Sequence, residues 1–170
     1  QMGKPLILVT NDDGITAPGI RNLVSFMTEI GDVVVVAPNS PQSGKGHAIT
    51  INSTLTYEEI HLEGPQTDFS LSGTPVDCVK FALDKILTRR PDIVVSGINH
   101  GANSSINVIY SGTMSAAVEA GVEGLQAIGF SLLDFSWDAD FSQAKIFIQK
   151  IVRRVLEKPL PNGVVLNVNI

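Results

Sequence analysis

Two adjacent acids, Asp12 and Asp13, follow the apolar run Leu6-Ile7-Leu8-Val9 in the stretch "VTNDDGI". Neighbouring carboxylates repel, so setting them side by side at the end of a buried strand carries a cost that something must offset. Successive side chains of a strand point to opposite faces, but a turn at Gly14 lets both carboxylates swing toward one point. A divalent cation there removes the repulsion. Two carboxylates neutralise a dication, and neutral oxygen ligands leave it able to polarise a phosphoryl oxygen or a bound water. Two further polar loops offer such ligands: the Ser43 hydroxyl in "PNSPQSGKG", and the Asn99 and Asn103 amides in "GINHGANSS". An all-oxygen set favours a hard ion, Mg²⁺ or Mn²⁺. The sequence has no His pair or Cys-His spacing of the kind a dedicated zinc site uses. The plainer use of an acid pair at a strand end is to cap the next helix or turn the chain.

A second feature suits an anion. "YSGTMSAA" places Ser111, Gly112 and Thr113 at a helix start, where free N–H groups and the helix dipole attract negative charge. Ordinary capping, which needs only one hydroxyl residue, is the equal alternative there. For "SGTP" at 72–75 capping is the favoured reading. Other candidates are weaker. "SGKG" at 43–46 lacks the full phosphate-loop pattern, and no G-x-G-x-x-G follows the first strand. An aspartyl-phosphate mechanism on Asp12 calls for a second acid two residues on, where Gly14 stands. His47 and His100 lie in candidate loops, where a solvated imidazole is commoner than a proton shuttle. Cys78 reads as a small packed residue, and Phe135 and Trp137 as an interface, a lid or a cover for the core.

The elements that must position these residues alternate strand and helix. Leu6–Thr10 and Val33–Ala37 are continuous apolar strands of the type buried on both faces of a parallel sheet. Between them Gly19–Ile30 is a helix with Ile20, Leu23, Val24 and Met27 as its apolar stripe, ended by Gly31. Ala48–Tyr57, Thr-rich and alternating, suits an exposed or edge strand. Glu58–Thr67 carries turn and charge signals of a hairpin arm near 48–70, and Asp68–Ser72 is a short strand. "SGTPVD" opens a helix with Thr74 as N-cap, Pro75 in first position and Asp77 closing a capping box; Val76, Val79, Leu83 and Ile86 form its stripe. Asp92–Ser96 is a third buried strand, followed by the long polar loop "GINHGANSSINVIYSGT". Then come a helix over Thr113–Ala120, a strand over Ala127–Leu133, a helix over Ser142–Glu157 with Phe147, Ile148, Ile151, Val152 and Val155 inward, and a strand over Val164–Ile170. The pattern predicts one α/β domain over 1–170, a Rossmann-like three-layer α/β/α sandwich with a mostly parallel central sheet. In such folds the loops leaving the carboxyl ends of the strands gather along one edge, and here those loops are the polar ones.

The 170 residues suffice for one real core, and 44% are hydrophobic. No apolar run has transmembrane length, so no membrane association is expected. With a net charge of −5 and no basic cluster beyond Arg89-Arg90 and Arg153-Arg154, a nucleic-acid polymer is not an expected partner. The lone cysteine, Cys78, points to a reducing, cytoplasmic setting.

"VTNDDGITAPGI", "VVAPNSPQSG", "SGTPVDCV", "PDIVVSGINHGAN" and "VIYSGTMSAAVEA" resemble, in order, the successive motifs of the SurE family, metal-dependent nucleoside-monophosphate phosphatases. The resemblance implies Asp12, Asp13, Ser43 and Asn99 as ligands of one divalent metal ion, with Asp12 and Asp13 central to catalysis. It implies Asn103 at the substrate end and Ser111, Gly112 and Thr113 around the phosphate. It further implies hydrolysis of nucleoside 5′- or 3′-monophosphates by a metal-activated water, and a homodimer or homotetramer. Family members continue past "LNVN" with a C-terminal portion, and this sequence reaches Ile170. A nucleotide- or metal-binding module without turnover is the alternative that loss of that portion would leave.

Overall fold

The computed structural model describes residues 3–41, 54–100, 112–132 and 141–170. Sequence order gives β1 (Leu6–Thr10), α1 (Pro18–Thr28), β2 (Asp32–Pro38), β3 (Tyr57–Ile60), β4 (Thr67–Leu71) and α2 (Pro75–Phe81). There follow β5 (Ile93–His100), α3 (Gly112–Val122), β6 (Ala127–Leu132), α4 (Phe141–Glu157) and β7 (Leu166–Asn169). The described strands form one sheet in the order β3-β4-β2-β1-β5-β6-β7. Every neighbouring pair is parallel except β3 against β4. This is the expected Rossmann-like α/β sandwich.

Central position explains the composition of β1. It lies between β2 and β5 with helices on both faces, so Ile7, Leu8 and Val9 are all fully buried, each contributing on the order of 1.5–3 kcal/mol. Alternation then sorts the strands into two cores. Ile7, Val9, Val35 and Val95 face α1 and α4, where Ile20, Leu23, Met27, Ile148 and Val152 meet them. Leu8, Val36 and Val94 face α2 and α3, where Cys78, Val79, Ala116, Ala117 and Ala120 meet them. The small side chains of α3 let it lie close to β5 and β6. Arg21 of α1 also bonds the buried Asp68 of β4 (Nη2 to Oδ1, 2.9 Å), tying α1 across β2.

Several expectations need correction. The third strand does not stop at Ser96. After a register shift it continues, with Asn99 paired to Ser131 and His100 to Leu132, so "GINH" is strand and not loop. The extra pairing partners on β6 extend it, and hydropathy could not reveal them. Most of the edge strand expected over 48–57 falls on residues 42–53, outside the described part, and residues 54–56 are not strand; the antiparallel edge strand observed is β3 at 57–60, which forms a hairpin with β4 in the stretch expected as an arm. The helix opened by Thr74 changes after Phe81 into a π turn over Ala82–Ile86. That turn buries Ala82 and leaves Leu83 and Ile86 only half-buried. On α4, Ile148, Val152 and Val155 face inward as expected, but Phe147 is 60% exposed.

Candidate metal and phosphate site

The stretch after β1 is shaped locally. Asn11 is buried and its Nδ2 donates to the Gly14 carbonyl at 2.7 Å, closing the turn from within. Gly14 has φ +106°, a conformation that favours glycine. The Ile15 amide donates to the Pro38 carbonyl at 2.9 Å, and the Ala17 amide to the Gly14 carbonyl at 3.1 Å. The turn is thereby fastened to the end of β2. Asp12 is 7% exposed and Asp13 half-buried.

The other flank of this turn is the end of β5. Gly19, near the start of α1, lies so close to Ile98 that a Cβ would collide with the Ile98 carbonyl oxygen. The acid pair therefore sits between the carboxyl ends of β2 and β5. Asn99, half-buried on the extended part of β5, lies at that same edge. Ser43, Asn103 and Ser111 fall outside the described residues, as do His47, Phe135 and Trp137. Among the described residues no group of three His, Cys, Asp or Glu side chains could hold a metal. The donors here are two carboxylates and an amide, which suits a hard, oxygen-preferring dication and not zinc.

Gly112 opens α3, and Thr113 behind it is fully buried. Its methyl is placed by β6: a Cβ on Gly129 would stand 3.4 Å from Thr113 Cγ2 and 2.5 Å from Met114 Sδ. The absence of a side chain at Gly129 thus lets the first turn of α3 settle onto the sheet. The first N–H groups of a helix have no intrahelical partner, and a helix start is a place that suits an anion.

Two hydroxyls escaped the motif reading. Thr10 and Ser96 are fully buried and face each other in register at the ends of the apolar runs of β1 and β5. Their signal was a hydroxyl residue closing each run, in "LILVT" and "DIVVS". The Cys78 thiol beside Thr10 is pushed up by burial and by Asp77. It is therefore a packed group and not a nucleophile at neutral pH. Thr74 and Asp77 form the full capping box, with the Thr74 amide donating to Asp77 Oδ2 at 2.9 Å and the Asp77 amide donating to Thr74 Oγ1 at 3.2 Å. "SGTP" is thus used for capping.

The fold and this edge define a Rossmann-like α/β protein with carboxylates at the end of a central strand and the start of a helix near them. The model of one family, described as Survival protein SurE, matches residues 7–170. A 5'-nucleotidase SurE of Flavobacterium johnsoniae is 70% identical over 167 residues, covering 98% of this chain and 64% of that protein. Its counterpart of the same name in Flavobacterium psychrophilum is 68% identical over 169 residues, covering 99% and 66%. The crystal structure of a SurE protein from Aquifex aeolicus superposes with a TM-score of 0.87 at 38% identity, covering 98% of this chain and 66% of that one. The chain belongs to the SurE family, and it spans 64 to 66% of the length of these three relatives.

Proposed function

We propose that this protein is a metal-dependent phosphomonoester hydrolase acting on nucleoside 5′- or 3′-monophosphates. The observation that carries the reading is the meeting, at one sheet edge, of the Asp12-Asp13 turn with the ends of β2 and β5, next to the start of α3. The name borne by the Flavobacterium relatives, 5'-nucleotidase SurE, supports the choice of substrate.

Asp12, Asp13, Ser43 and Asn99 are the residues that would hold the dication. When bound, it offsets the charge of the phosphate oxygens and lowers the pKa of coordinated water. That offset matters because a doubly charged phosphate approaches a chain of net charge −5 through a pair of carboxylates. The phosphate itself rests on the N-terminus of α3, with the Gly112 and Thr113 amides and the Thr113 hydroxyl as donors. Asn103 and Ser111 complete the substrate end. Donors fixed in this way stabilise charge that builds on the transferring group. Water adds to phosphorus as the ester P–O bond breaks, and the nucleoside leaves with a proton. Assembly as a homodimer or homotetramer in the cytoplasm belongs to the same reading, and light scattering measures the assembly.

The test is inorganic phosphate release from a panel of nucleoside 5′- and 3′-monophosphates, with added Mg²⁺ or Mn²⁺ and with a chelator. Release that depends on the dication is expected, and release in the presence of the chelator would refute the metal assignment. Asp13→Asn is expected to lower kcat at saturating substrate by at least about a hundredfold. Wild-type kcat in that variant would sink Asp13 as a ligand.

A further inference from the structure

Asn11 stands between the buried strand β1 and the two acids, and it is only 2% exposed. Its side-chain bond to the Gly14 carbonyl, 2.7 Å long, closes a loop whose two inner residues are Asp12 and Asp13. Both ends of that loop are anchored. Thr10, before it, is paired to Ser96 on β5. Ile15, after it, donates its amide to the Pro38 carbonyl. The acid pair can therefore spread only by breaking the bond from Asn11. That bond is not what satisfies Gly14, because the same carbonyl also accepts the Ala17 amide at 3.1 Å. On the other side of the amide, Asn11 Oδ1 is buried with no hydrogen-bond partner among the described residues. Buried polar atoms are nearly always satisfied, and an exception calls for a reason. An apolar residue of the same shape would leave no orphan acceptor and would still leave Gly14 with Ala17. Stability alone thus does not select asparagine here.

We propose that Asn11 is a positioning residue that holds the Asp12-Asp13 turn closed before a dication arrives. Adjacent carboxylates repel, and a turn free to relax would part them. The bond from Asn11 to Gly14 resists that parting from inside the protein, where water does not compete for it. Gathering the ligands is then done on folding and not on binding, which raises affinity for the ion. An amide suits the position better than a carboxylate. It brings a donor without adding a third negative charge, and it donates whatever the pH. Asn11 acts through Asp12 and Asp13 and requires no contact with the ion. The inference rests on the metal reading given above.

The experiment compares the wild type with Asn11→Leu and Asn11→Ala in the complete protein, with no nucleotide present. Calorimetry reads the affinity for Mn²⁺, and thermal melts read Tm in chelator and at one fixed Mn²⁺ concentration. Asn11→Leu keeps the approximate shape and removes both polar atoms; Asn11→Ala gives the same two readings should the larger side chain disturb the fold. Both variants are expected to bind Mn²⁺ about tenfold more weakly, the worth of one oriented hydrogen bond. The rise in Tm that Mn²⁺ produces should shrink accordingly, because an ion that binds the native state stabilises it in proportion to the logarithm of its affinity. In chelator Asn11→Leu should melt within about 3 °C of the wild type. A merely structural role gives a different result. Tm then falls by the same amount in chelator and in Mn²⁺, with Mn²⁺ affinity unchanged, and that outcome overturns the inference while leaving the metal reading in place. A wild type that takes up no Mn²⁺ refutes the metal reading itself, and the inference with it.

Discussion

Gly19→Ala separates two opposed expectations about one residue. Gly19 is the second residue of α1, and within a helix alanine is favoured over glycine by about 0.5–1 kcal/mol. Helix propensity alone therefore predicts a more stable protein. The structure predicts the contrary. The new Cβ would overlap the Ile98 carbonyl oxygen and stand 3.1 Å from its carbonyl carbon and 3.4 Å from its amide nitrogen. These are backbone atoms of a buried strand, with no rotamer to turn aside, so α1 must lift from the end of β5. Overpacking of this kind costs about 1–3 kcal/mol. After the propensity gain the net loss is about 1–2 kcal/mol, a fall in Tm of roughly 3–6 °C for a domain of this size. Gly121→Ala is the control. It too lies in a helix, α3, but its nearest neighbour is the side-chain methyl Val165 Cγ1 at 2.6 Å, which can rotate away. Urea and thermal melts of the two variants should show Gly19→Ala destabilised and Gly121→Ala close to wild type. Lifting α1 also moves the Asp12-Asp13 turn against Asn99, and a displacement of about 1 Å near the reacting groups costs up to ~100-fold in turnover. A Gly19→Ala protein with a raised Tm would refute the close backbone contact between α1 and β5.

Other expectations are more local. Thr74→Ala removes the cap from α2 and leaves the buried Asp77 without the reciprocal half of its box, for a loss of about 1–2 kcal/mol in denaturant melts. On α4, Ile148→Ala should cost about 2–5 kcal/mol, whereas Phe147→Ala, at a residue 60% exposed, should stay within about 0.5 kcal/mol. Glu119 on α3 has its carboxyl pushed above the usual 4.5 by burial and by the hydrogen bond its protonated form donates to Glu123, against the pull of Lys80. A carboxyl raised on folding keeps its proton longer in the native state, so its contribution to stability is lost as pH rises from 4.5 through the folded value. Glu119→Gln should flatten that part of the stability-versus-pH curve, measured by urea melts from pH 4 upward.

The capping box shows what a sequence can reveal. Thr74, Pro75 and Asp77 interact within one helical turn, so spacing was enough to place them. The buried strands were equally legible, because a parallel sheet covered on both faces imposes a continuous apolar run. Phe147 was misplaced because apolar residues exceed the width of one face on α4, and only the neighbours of that helix decide which of them turn inward. The extension of β5 through Asn99 depends on pairing with Ser131, a partner more than thirty residues away. At the site, the acid pair declared itself by its mutual repulsion. Thr10 and Ser96 did not, because each is an ordinary strand residue until β1 and β5 are set side by side.

Among the described residues the sheet divides the interior into two apolar clusters that share no residue, one against α1 and α4 and the other against α2 and α3. Side chains on opposite faces are separated by the thickness of the backbone layer and touch different helices. Substitutions that improve packing in one cluster should therefore add, within about 0.5 kcal/mol, to those that improve the other. For anyone wishing to harden this protein against heat, the two halves can be screened as separate libraries and the winners combined.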